Sequence, residues 1–273
     1  MTKKRIAKHP ILEIPKKKEV DFTWNGQTLQ GYEGEMIASA LMANNIHIFG
    51  HHPKDRSPQG MFCANGQCSQ CMVIADGLPV KSCMTPLRDG MVVQSLEGLP
   101  QLPEDDRVPA LKEPPLRDVE VLILGGGPAG LSAAIELGKL GVDTLIVDDK
   151  SSLGGKLLLQ THKFFGSVED SHAGTRGFEI ARILEAEVRT LDSVEVWLNT
   201  TAVGVFSDRI VGVVKGNLYR KIKPQRLLVA TGAREKMLSF PGNTLPGVYG
   251  AGAFQTLVNR DLVQSSKRIL IVG

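Results

Sequence analysis

VEVLILGGGPAG, at residues 119–130, is the stretch that decides the fold. An apolar strand, of the kind that is buried on both faces of a sheet, leads here into a glycine-rich turn. The pattern behind the turn predicts a helix from about Pro128 to Leu140, and then a second strand, DTLIV, that leads to Asp148. Strand, helix and strand in this order predict a βαβ unit with parallel strands and a right-handed crossover. The sequence therefore favours an α/β domain over residues 118–273.

The turn itself fits the G-x-G-x-x-G motif of dinucleotide-binding domains. Gly125 is expected to make the tight turn, Gly127 to let the backbone approach a pyrophosphate, and Gly130 to let helix and strand pack closely. Pro128-Ala129 would open the helix, whose N-terminus attracts phosphate groups. Asp148 stands where a carboxylate accepts the ribose hydroxyls of an adenine nucleotide. The alternative is a glycine-rich turn without a ligand, but the flanking strand and helix favour a nucleotide site.

A second domain is predicted upstream, at residues 18–100. Asn25-Gly26 separates two short extended runs and is a favoured two-residue hairpin turn. The next segment, GEMIASALMANN, has apolar residues at helical spacing, a long loop follows, and further strands are predicted at 72–76 and 91–96. This is the element order of a small α+β ferredoxin-like (β-grasp) domain.

The two domains are flanked and joined by segments of unusual composition. Residues 101–117 are rich in proline and predict a linker or an extended strap. Residues 1–17 are rich in lysine and predict a solvated, partly mobile arm, with a docking surface for an acidic partner as the alternative.

All four cysteines of the chain fall in the upstream domain, as Cys63-x4-Cys68-x2-Cys71 followed by Cys83. The spacing places three thiolates on one tight loop and brings the fourth from the next strand connection, as in plant-type [2Fe–2S] ligation. Small residues inside the loop would let backbone N–H groups turn towards the sulfurs. The four cysteines are thus predicted to bind a [2Fe–2S] cluster.

Other interpretations of the cysteines are weaker. Structural zinc usually shows two close Cys/His pairs, whereas only Cys68 and Cys71 form one here. A thioredoxin-like C-x-x-C would need a βαβ setting, and four unrelated buried thiols would not need this spacing. The histidines near this loop are expected not to be ligands, because four cysteines are available. They are His47, His51 and His52.

Whole-chain properties exclude some classes of protein. The 273 residues suit two domains, and a net charge of +3 is too small to argue for nucleic-acid binding. No apolar run approaches the roughly 20 residues needed to cross a bilayer, and the basic start lacks the apolar stretch of a secretory signal. A cytoplasmic location is therefore expected, where thiols stay reduced and clustered cysteines indicate metal rather than disulfides.

The downstream domain resembles the pyridine nucleotide–disulfide oxidoreductase superfamily. LLVATGA at 227–233 forms an apolar strand ending in A-T-G, and KRILIVG at 267–273 is predicted to open a second nucleotide-binding unit. The resemblance implies that the first glycine motif binds FAD. Beside that motif it implies further FAD-binding residues, namely Gly154, Gly155, Ala230, Thr231 and Gly232. The redox disulfide of the reductases is missing, because no cysteine follows Cys83.

Three longer stretches resemble a narrower family, the α-type subunits of heteromeric amine and imino-acid oxidoreductases. This family includes sarcosine oxidase, dye-linked proline and hydroxyproline dehydrogenases, opine oxidase and hydrogen cyanide synthase. The stretches are HHPKDRSPQGMFCANGQCSQCMVIADG (51–77), SCMTPLRDGM (82–91) and ATGAREKMLSFPGNTLPGVYGAGAFQTLVNR (230–260).

The narrower resemblance implies a redox relay. A separate amine-oxidase-type β subunit would carry the flavin that oxidises the amine, and this chain would pass the electrons on through FAD and the [2Fe–2S] cluster. Two alternatives are a stand-alone NAD(P)H-dependent reductase and a non-catalytic docking subunit. No catalytic acid or base is predicted, and His162, the one tempting candidate, is expected to be structural or solvated.

The end of the chain bears on the assignment of the FAD site and of an NAD(P) site. In the superfamily, the second nucleotide-binding domain and the last segment of the FAD domain would follow Gly273. The chain is therefore expected to be a fragment, a split gene product or a chain completed by another polypeptide. The FAD-binding domain is expected to be incomplete, and no NAD(P) site is assigned.

Overall fold

The computed structural model describes residues 4–101, 104, 106, 110 and 112–272. The chain divides into two compact units, one formed by residues 1–107 with 234–273 and the other by residues 108–233. Each unit has its own sheet, and the described residues form one apolar core in the first unit and three in the second. Among the described residues, no helix is long and apolar enough to span a bilayer.

The first unit is built on a seven-stranded mixed sheet. Its strands are β1 (Glu19–Trp24), β2 (Gln27–Tyr32), β3 (Gly50–His51), β4 (Pro58–Gln59), β5 (Met72–Ala75), β6 (Leu78–Lys81) and β7 (Val92–Glu97). The order β2-β1-β7-β3-β4 forms the main path, and β5 joins β7 and carries β6 at its other edge. Helix α1 (Ile37–Ala43) belongs to the same core, and all of its residues are buried. This arrangement is the α+β ferredoxin-like fold that the sequence predicts.

Turn chemistry explains both hairpins of this sheet. Asn25 and Gly26, between β1 and β2, have φ values of 48° and 82°, and Asp76 and Gly77, between β5 and β6, have the same values. Two consecutive residues with positive φ form the type I′ turn, whose twist matches that of the flanking strands. The hairpin predicted at Asn25-Gly26 is therefore confirmed. Strand β6 was not predicted, although a hairpin turn at Asp76-Gly77 implies a second strand that pairs with β5.

The second unit contains a six-stranded sheet of order β10-β9-β8-β13-β12-β11. Its strands are β8 (Leu116–Leu124), β9 (Thr144–Val147), β10 (Val194–Trp197), β11 (Thr200–Val205), β12 (Val211–Lys215) and β13 (Leu218–Val229). Its helices are α2 (Pro128–Lys139), α3 (Val168–Ser171) and α4 (Gly177–Arg189). Strands β10, β9, β8 and β13 are parallel, and β12 and β11 extend the sheet as antiparallel strands. The predicted βαβ unit is β8-α2-β9.

The C-terminal residues pack with the first unit rather than with the second. Residues 234–273 group with the first unit, although the prediction placed them in the FAD-binding domain. They contain helix α5 (Ala251–Gln255) and a π-helical turn at Thr256–Arg260, and three of their apolar side chains lie in the first core. An apolar pattern shows that a face is buried, but it does not show against which domain.

Two other predictions also change. Residues 267–272 are not a strand, because no other described strand pairs with them, and Gly273 lies outside the described residues. Strand β8 begins at Leu116, inside the predicted linker 101–117. Part of that linker, at 102, 103, 105, 107–109 and 111, lies outside the described residues.

The prediction of a solvated arm is wrong for residues 4–6. The guanidinium of Arg5 donates to both carboxylate oxygens of Glu35, at 2.5 and 2.6 Å, and lies over the ring of Tyr32. The backbone N–H of Ile6 donates to the carbonyl of Leu262. Composition alone did not distinguish this largely buried arginine from the exposed lysines further along the arm, Lys8, Lys16 and Lys17.

Candidate functional site

The β5-β6 hairpin brings two distant cysteines together. Cys71 directly precedes β5, and Cys83 follows two residues after β6. Because Met72 pairs with Lys81 in the antiparallel register, the two cysteines lie at the same open end of the hairpin. Ser82 closes that end by donating its N–H and its hydroxyl to the carbonyl of Cys71, at 3.1 and 2.6 Å.

The four thiols contact one another. Cys63 interacts with the thiols of Cys68 and Cys83, and Cys83 also interacts with Cys71. None of them forms a disulfide, and Cys68 is the most exposed of the four. Hydrogen bonds from neighbouring thiols lower the pKa of Cys63 and bring that of Cys71 to about 7, whereas the pKa values of the donors Cys68 and Cys83 are raised. These hydrogen bonds therefore favour the thiolate form of Cys63 and Cys71, the form that binds metals.

The loop that carries Cys63 and Cys68 is held in a tight conformation. Ala64 and Gly66 have φ values of 55° and 82°, so the chain turns twice within a few residues. Lys81 donates from Nζ to the carbonyl of Gly66 at 2.7 Å, which ties this loop to the β5-β6 hairpin. A Cβ at position 66 would lie 2.9 Å from Cγ of Met84. A glycine is thus required for both the turn and the packing.

The donor set fits a [2Fe–2S] cluster. Four cysteines with no competing disulfide supply two thiolates for each of two irons, as this cluster type requires. In the described part of the chain, no three His, Cys, Asp or Glu side chains converge on a single ion position. A binuclear cluster does not demand that convergence, because its ligands are divided between two irons.

The nearby histidines have other partners. Nδ1 of His51 lies 3.1 Å from the carboxylate of Glu97, and Nδ1 of His52 lies 3.1 Å from that of Asp55. His47 lies beside Lys4. Burial is the larger cause that lowers the pKa of His47, and the positive charge of Lys4 is the second. The structure gives none of the three a place among the cysteines.

The glycine motif forms a close-packed turn between β8 and α2. Gly125 has a φ of 109°, and a Cβ there would lie 2.3 Å from the carbonyl oxygen of Ala230. A Cβ on Gly130 would lie 1.9 Å from the carbonyl oxygen of Gly125. Position 127 is different, because a Cβ there would meet nothing closer than Cα of Gly155 at 4.0 Å. Gly127 thus borders open space on its Cβ side, where the motif places a pyrophosphate.

The N-terminus of α2 is available to an anion. Gly127 is the N-cap, no side chain caps the helix, and Pro128 occupies its first turn, which contains no acidic residue. The first N–H groups of a helix lack partners within the helix and attract phosphate oxygens. With Ala129 exposed beside Pro128, this end of the helix fits a dinucleotide.

Asp148 lies at the end of β9, as predicted, and is buried. Its Oδ2 accepts the N–H of Gly126 at 2.6 Å, and its Oδ1 accepts the N–H of Lys150 at 2.8 Å. Each carboxylate oxygen has a second lone pair, so a ribose hydroxyl could still donate to it. The link to Gly126 was not predicted, and it holds the carboxylate against the glycine turn.

The remaining predicted residues surround the same turn. The N–H of Gly154 donates to the carbonyl of Gly126 at 2.7 Å, and Gly154 and Gly155 both have positive φ. The A-T-G residues Ala230, Thr231 and Gly232 follow the end of β13, next to the end of β8. The structure therefore brings every predicted nucleotide residue to one end of the parallel sheet, the usual place for a nucleotide.

His162 packs against two phenylalanines that follow it in the sequence. Its ring stacks on Phe165, with centroids 4.6 Å apart, and its Nδ1 accepts the N–H of Phe164 at 3.2 Å. These contacts suit the structural role that the sequence favours.

Comparison with known proteins identifies both domains. Residues 17–98 match the 2Fe-2S iron-sulfur cluster binding domain, and residues 119–273, more than half of the chain, match the pyridine nucleotide-disulphide oxidoreductases. The chain belongs to the pyridine nucleotide-disulphide oxidoreductase family. It is a member of this FAD-dependent class that also carries a 2Fe-2S binding domain, so its cofactors are FAD and a [2Fe–2S] cluster.

Several known proteins are similar to this chain over part of their length. The alpha subunit of sarcosine oxidase from Rhizobium meliloti (strain 1021) is 28% identical over 90% of this chain and 32% of that protein. The hydrogen cyanide synthase subunit HcnB from Pseudomonas aeruginosa is 31% identical over 56% of this chain and 32% of that protein. The crystal structure of L-proline dehydrogenase from P. horikoshii superposes with a TM-score of 0.75 and 26% identity over 93% of this chain. This chain spans about a third of the two curated relatives and 49% of that solved chain.

The sequence did not predict the roles of two residues that stabilise the cysteine-containing unit. Lys81 fastens the cysteine loop, and Arg5 pairs with Glu35, which lies in the connection between β2 and α1. A lysine two residues before Cys83 was a visible signal for the first. The second had no local signal, because its partner is 30 residues away.

Proposed function

We propose that this chain is the electron-transfer subunit of a heteromeric amine or imino-acid oxidoreductase, acting in the cytoplasm. It would accept electrons that a partner subunit removes from a C–N bond and deliver them to an acceptor. The observation that carries the proposal is the presence, in one chain, of four cysteines linked by thiol contacts in one domain and an open glycine turn in another. When bound, FAD exchanges one or two electrons and the cluster exchanges one, which suits the chain to such a junction.

The first part of the proposal concerns the cluster. The ligands would be Cys63, Cys68, Cys71 and Cys83. Three are buried, so the protein would exclude water from most of the cluster, and Lys81 would keep the loop closed around it. Hydrogen bonding and burial of this kind tune the potential of iron–sulfur centres.

The second part concerns FAD. Gly127 would let the pyrophosphate approach the N-terminus of α2, and Gly125 and Gly130 would keep the turn compact. Asp148 would accept the ribose hydroxyls while Gly126 orients its carboxylate. The remaining contacts would come from the residues around the turn, which are Pro128, Ala129, Gly154, Gly155, Ala230, Thr231 and Gly232.

The third part concerns the partner. The relatives from sarcosine oxidase, hydrogen cyanide synthase and opine oxidase are each one subunit of a larger enzyme. We therefore propose that the partner, which binds and oxidises the substrate, is an amine-oxidase-type flavoprotein β subunit. In this proposal the partner carries out the substrate chemistry. This agrees with the nucleotide site of the present chain, where we identify no catalytic acid or base.

Anaerobic purification followed by iron analysis and paramagnetic-resonance spectroscopy tests the ligand set. Cys68→Ser, at the most exposed of the four positions, and Cys83→Ser should each lose most of the iron and the [2Fe–2S] signal. Ser69→Ala, an exposed position in the same loop, is the matched control and should keep both. A wild-type chain without iron, or full iron content in both cysteine variants, would overturn the cluster assignment.

Reduction experiments test the relay itself. The amine substrate of a co-purified β subunit should reduce the cluster only in the complex, because substrate oxidation is assigned to the partner. Bleaching of the isolated chain by NADH would favour the reductase alternative instead.

A further inference from the structure

Lys81 lies where the two halves of the cysteine set meet. It is the last residue of β6, two residues before Cys83, and it pairs with Met72, which follows Cys71. Its carbonyl accepts the N–H of Met84 at 2.9 Å, which closes the turn that contains Cys83. The backbone of this lysine is therefore fixed at the end of the hairpin that carries two of the cysteines.

The side chain of Lys81 reaches the loop that carries the other two cysteines. Its Nζ donates to the carbonyl of Gly66 at 2.7 Å, in a partly buried hydrogen bond. Gly66 lies two residues before Cys68, so the Cα atoms of these two residues are at most about 7 Å apart. The position of the ammonium beside this loop is thus set by a direct contact.

The loop that Lys81 holds also donates hydrogen bonds to a ligand. The backbone N–H groups of Asn65 and Cys68 donate to the sulfur of Cys63. Gly66 lies between these two donors, so the bond from Lys81 to its carbonyl restrains the segment that carries both. Hydrogen bonds to ligand sulfurs tune the potential of iron–sulfur clusters.

The charge of Lys81 has no counter-charge beside it. Within the part of the chain that the structure describes, no carboxylate forms an ion pair with its ammonium. Residues 63–75 and 82–87, which contain all four cysteines, include no charged side chain. The one carboxylate on the hairpin, that of Asp76, lies at its far turn and pairs with Arg88 at 3.0 Å. Lys81 therefore leaves a positive charge against the cysteine loop.

We infer that Lys81 is a positioning residue that raises the reduction potential of the cluster. A [2Fe–2S] cluster with four thiolate ligands is an anion, and accepting one electron in the relay makes it more negative. A cation held against the ligand loop stabilises the reduced state more than the oxidised state, and its partial burial weakens screening by salt. The inference rests on the cysteine ligands of the proposed function, but it does not depend on the partner or substrate.

A redox titration of the purified, cluster-containing chain, followed by paramagnetic resonance, tests this inference. Lys81→Gln keeps an N–H donor but loses the charge. It should make reduction about tenfold less favourable, which lowers the midpoint potential by about 59 mV in this one-electron couple. Lys81→Arg keeps the charge and should stay near the wild type. Lys17→Gln is the matched control, because it removes an exposed lysine charge from the same unit and should leave the potential unchanged.

Iron content separates the possible failures. A wild-type chain without iron contradicts the ligand assignment of the proposed function, whereas iron-containing Lys81 variants with unchanged potentials contradict the role of Lys81 alone. An equal shift in Lys17→Gln, or a shift in Lys81→Arg as large as that in Lys81→Gln, would also overturn it. If Lys81→Gln loses iron, Lys81→Met, which is neutral and unbranched, decides by whether its potential is lowered. Loss of iron in both variants would show that the lysine only holds the loop closed and would end the inference.

Discussion

Gly127 and Gly130 lie one helical turn apart but differ in what a side chain would meet. At position 130 a Cβ would lie 1.9 Å from a backbone carbonyl oxygen, whereas at position 127 the nearest protein atom would be 4.0 Å away. Gly127 also has a φ of −77°, which an alanine adopts without strain. Gly130 therefore serves the fold, and Gly127 leaves room for a ligand.

Alanine substitutions at these positions should separate stability from FAD binding. Gly130→Ala should lower the free energy of unfolding by about 3 kcal/mol, because a backbone atom cannot move aside cheaply. Gly127→Ala should cost at most about 1 kcal/mol, as a poorer N-cap, but should weaken FAD binding at least about tenfold, or about 1.4 kcal/mol. Urea unfolding and titration of the apoprotein with FAD measure the two quantities. Wild-type affinity in Gly127→Ala would contradict the pyrophosphate site.

At the scale of residues, the sequence predicted contacts between residues that lie close together along the chain. The four cysteines meet one another as predicted, because one short loop and one hairpin carry them. The motif glycines likewise form one turn, as their spacing predicts. Arg5 gave no such signal, because its partner Glu35 lies 30 residues further along the chain. The bond from Gly126 to Asp148 likewise requires two strands to be adjacent first.

At the scale of elements, turns and buried strands were predictable, but edge elements were not. Asn25-Gly26 determines a hairpin through its backbone preference alone, and the strand before the glycine motif is marked by its apolar run. Strands β3 and β4 have two residues each, so they show no periodicity and exist only through their neighbours. Residues 4–6 of the N-terminal arm belong to the same class, because they pair with distant segments.

The arm should contribute strongly to stability through Arg5. Its partner Glu35 is only 3% exposed and also accepts the N–H of Tyr32 at 2.7 Å. Arg5→Met would leave a buried carboxylate without its cation, and such losses cost about 3–5 kcal/mol. Chemical denaturation of the full chain should show this loss.

Two further variants make the Arg5 prediction specific. Lys18→Ala breaks an exposed ion pair with Glu33 and should cost less than about 1 kcal/mol. Replacing both partners, as in Arg5→Met with Glu35→Leu, should recover much of the stability, because no buried charge then remains unpaired. Equal losses in Arg5→Met and Lys18→Ala would show that the arm is solvated after all.

At the scale of the whole molecule, the described residues form one apolar core in the first unit and three in the second, and the first unit combines segments from both ends of the chain. Leu257 lies in the core of the first unit, although it comes well after the end of β13 in the second. Leu131 lies in the core behind the glycine motif. Both leucines are fully buried, so they are matched probes of the two units.

Truncating each leucine should destabilise one cofactor site and spare the other. Leu→Ala substitutions at buried positions cost about 2–5 kcal/mol, depending on how far the cavity can collapse. Leu257→Ala should lower the temperature at which the visible absorbance of the cluster is lost, while FAD release, followed by flavin fluorescence, should stay near that of the wild type. Leu131→Ala should produce the reverse pattern. If instead both variants lower both transitions equally, the chain unfolds as a single cooperative body. The reverse outcome for Leu257→Ala alone, with FAD released early and the cluster retained, would place residues 234–272 functionally with the nucleotide domain, as their position in the sequence first indicated.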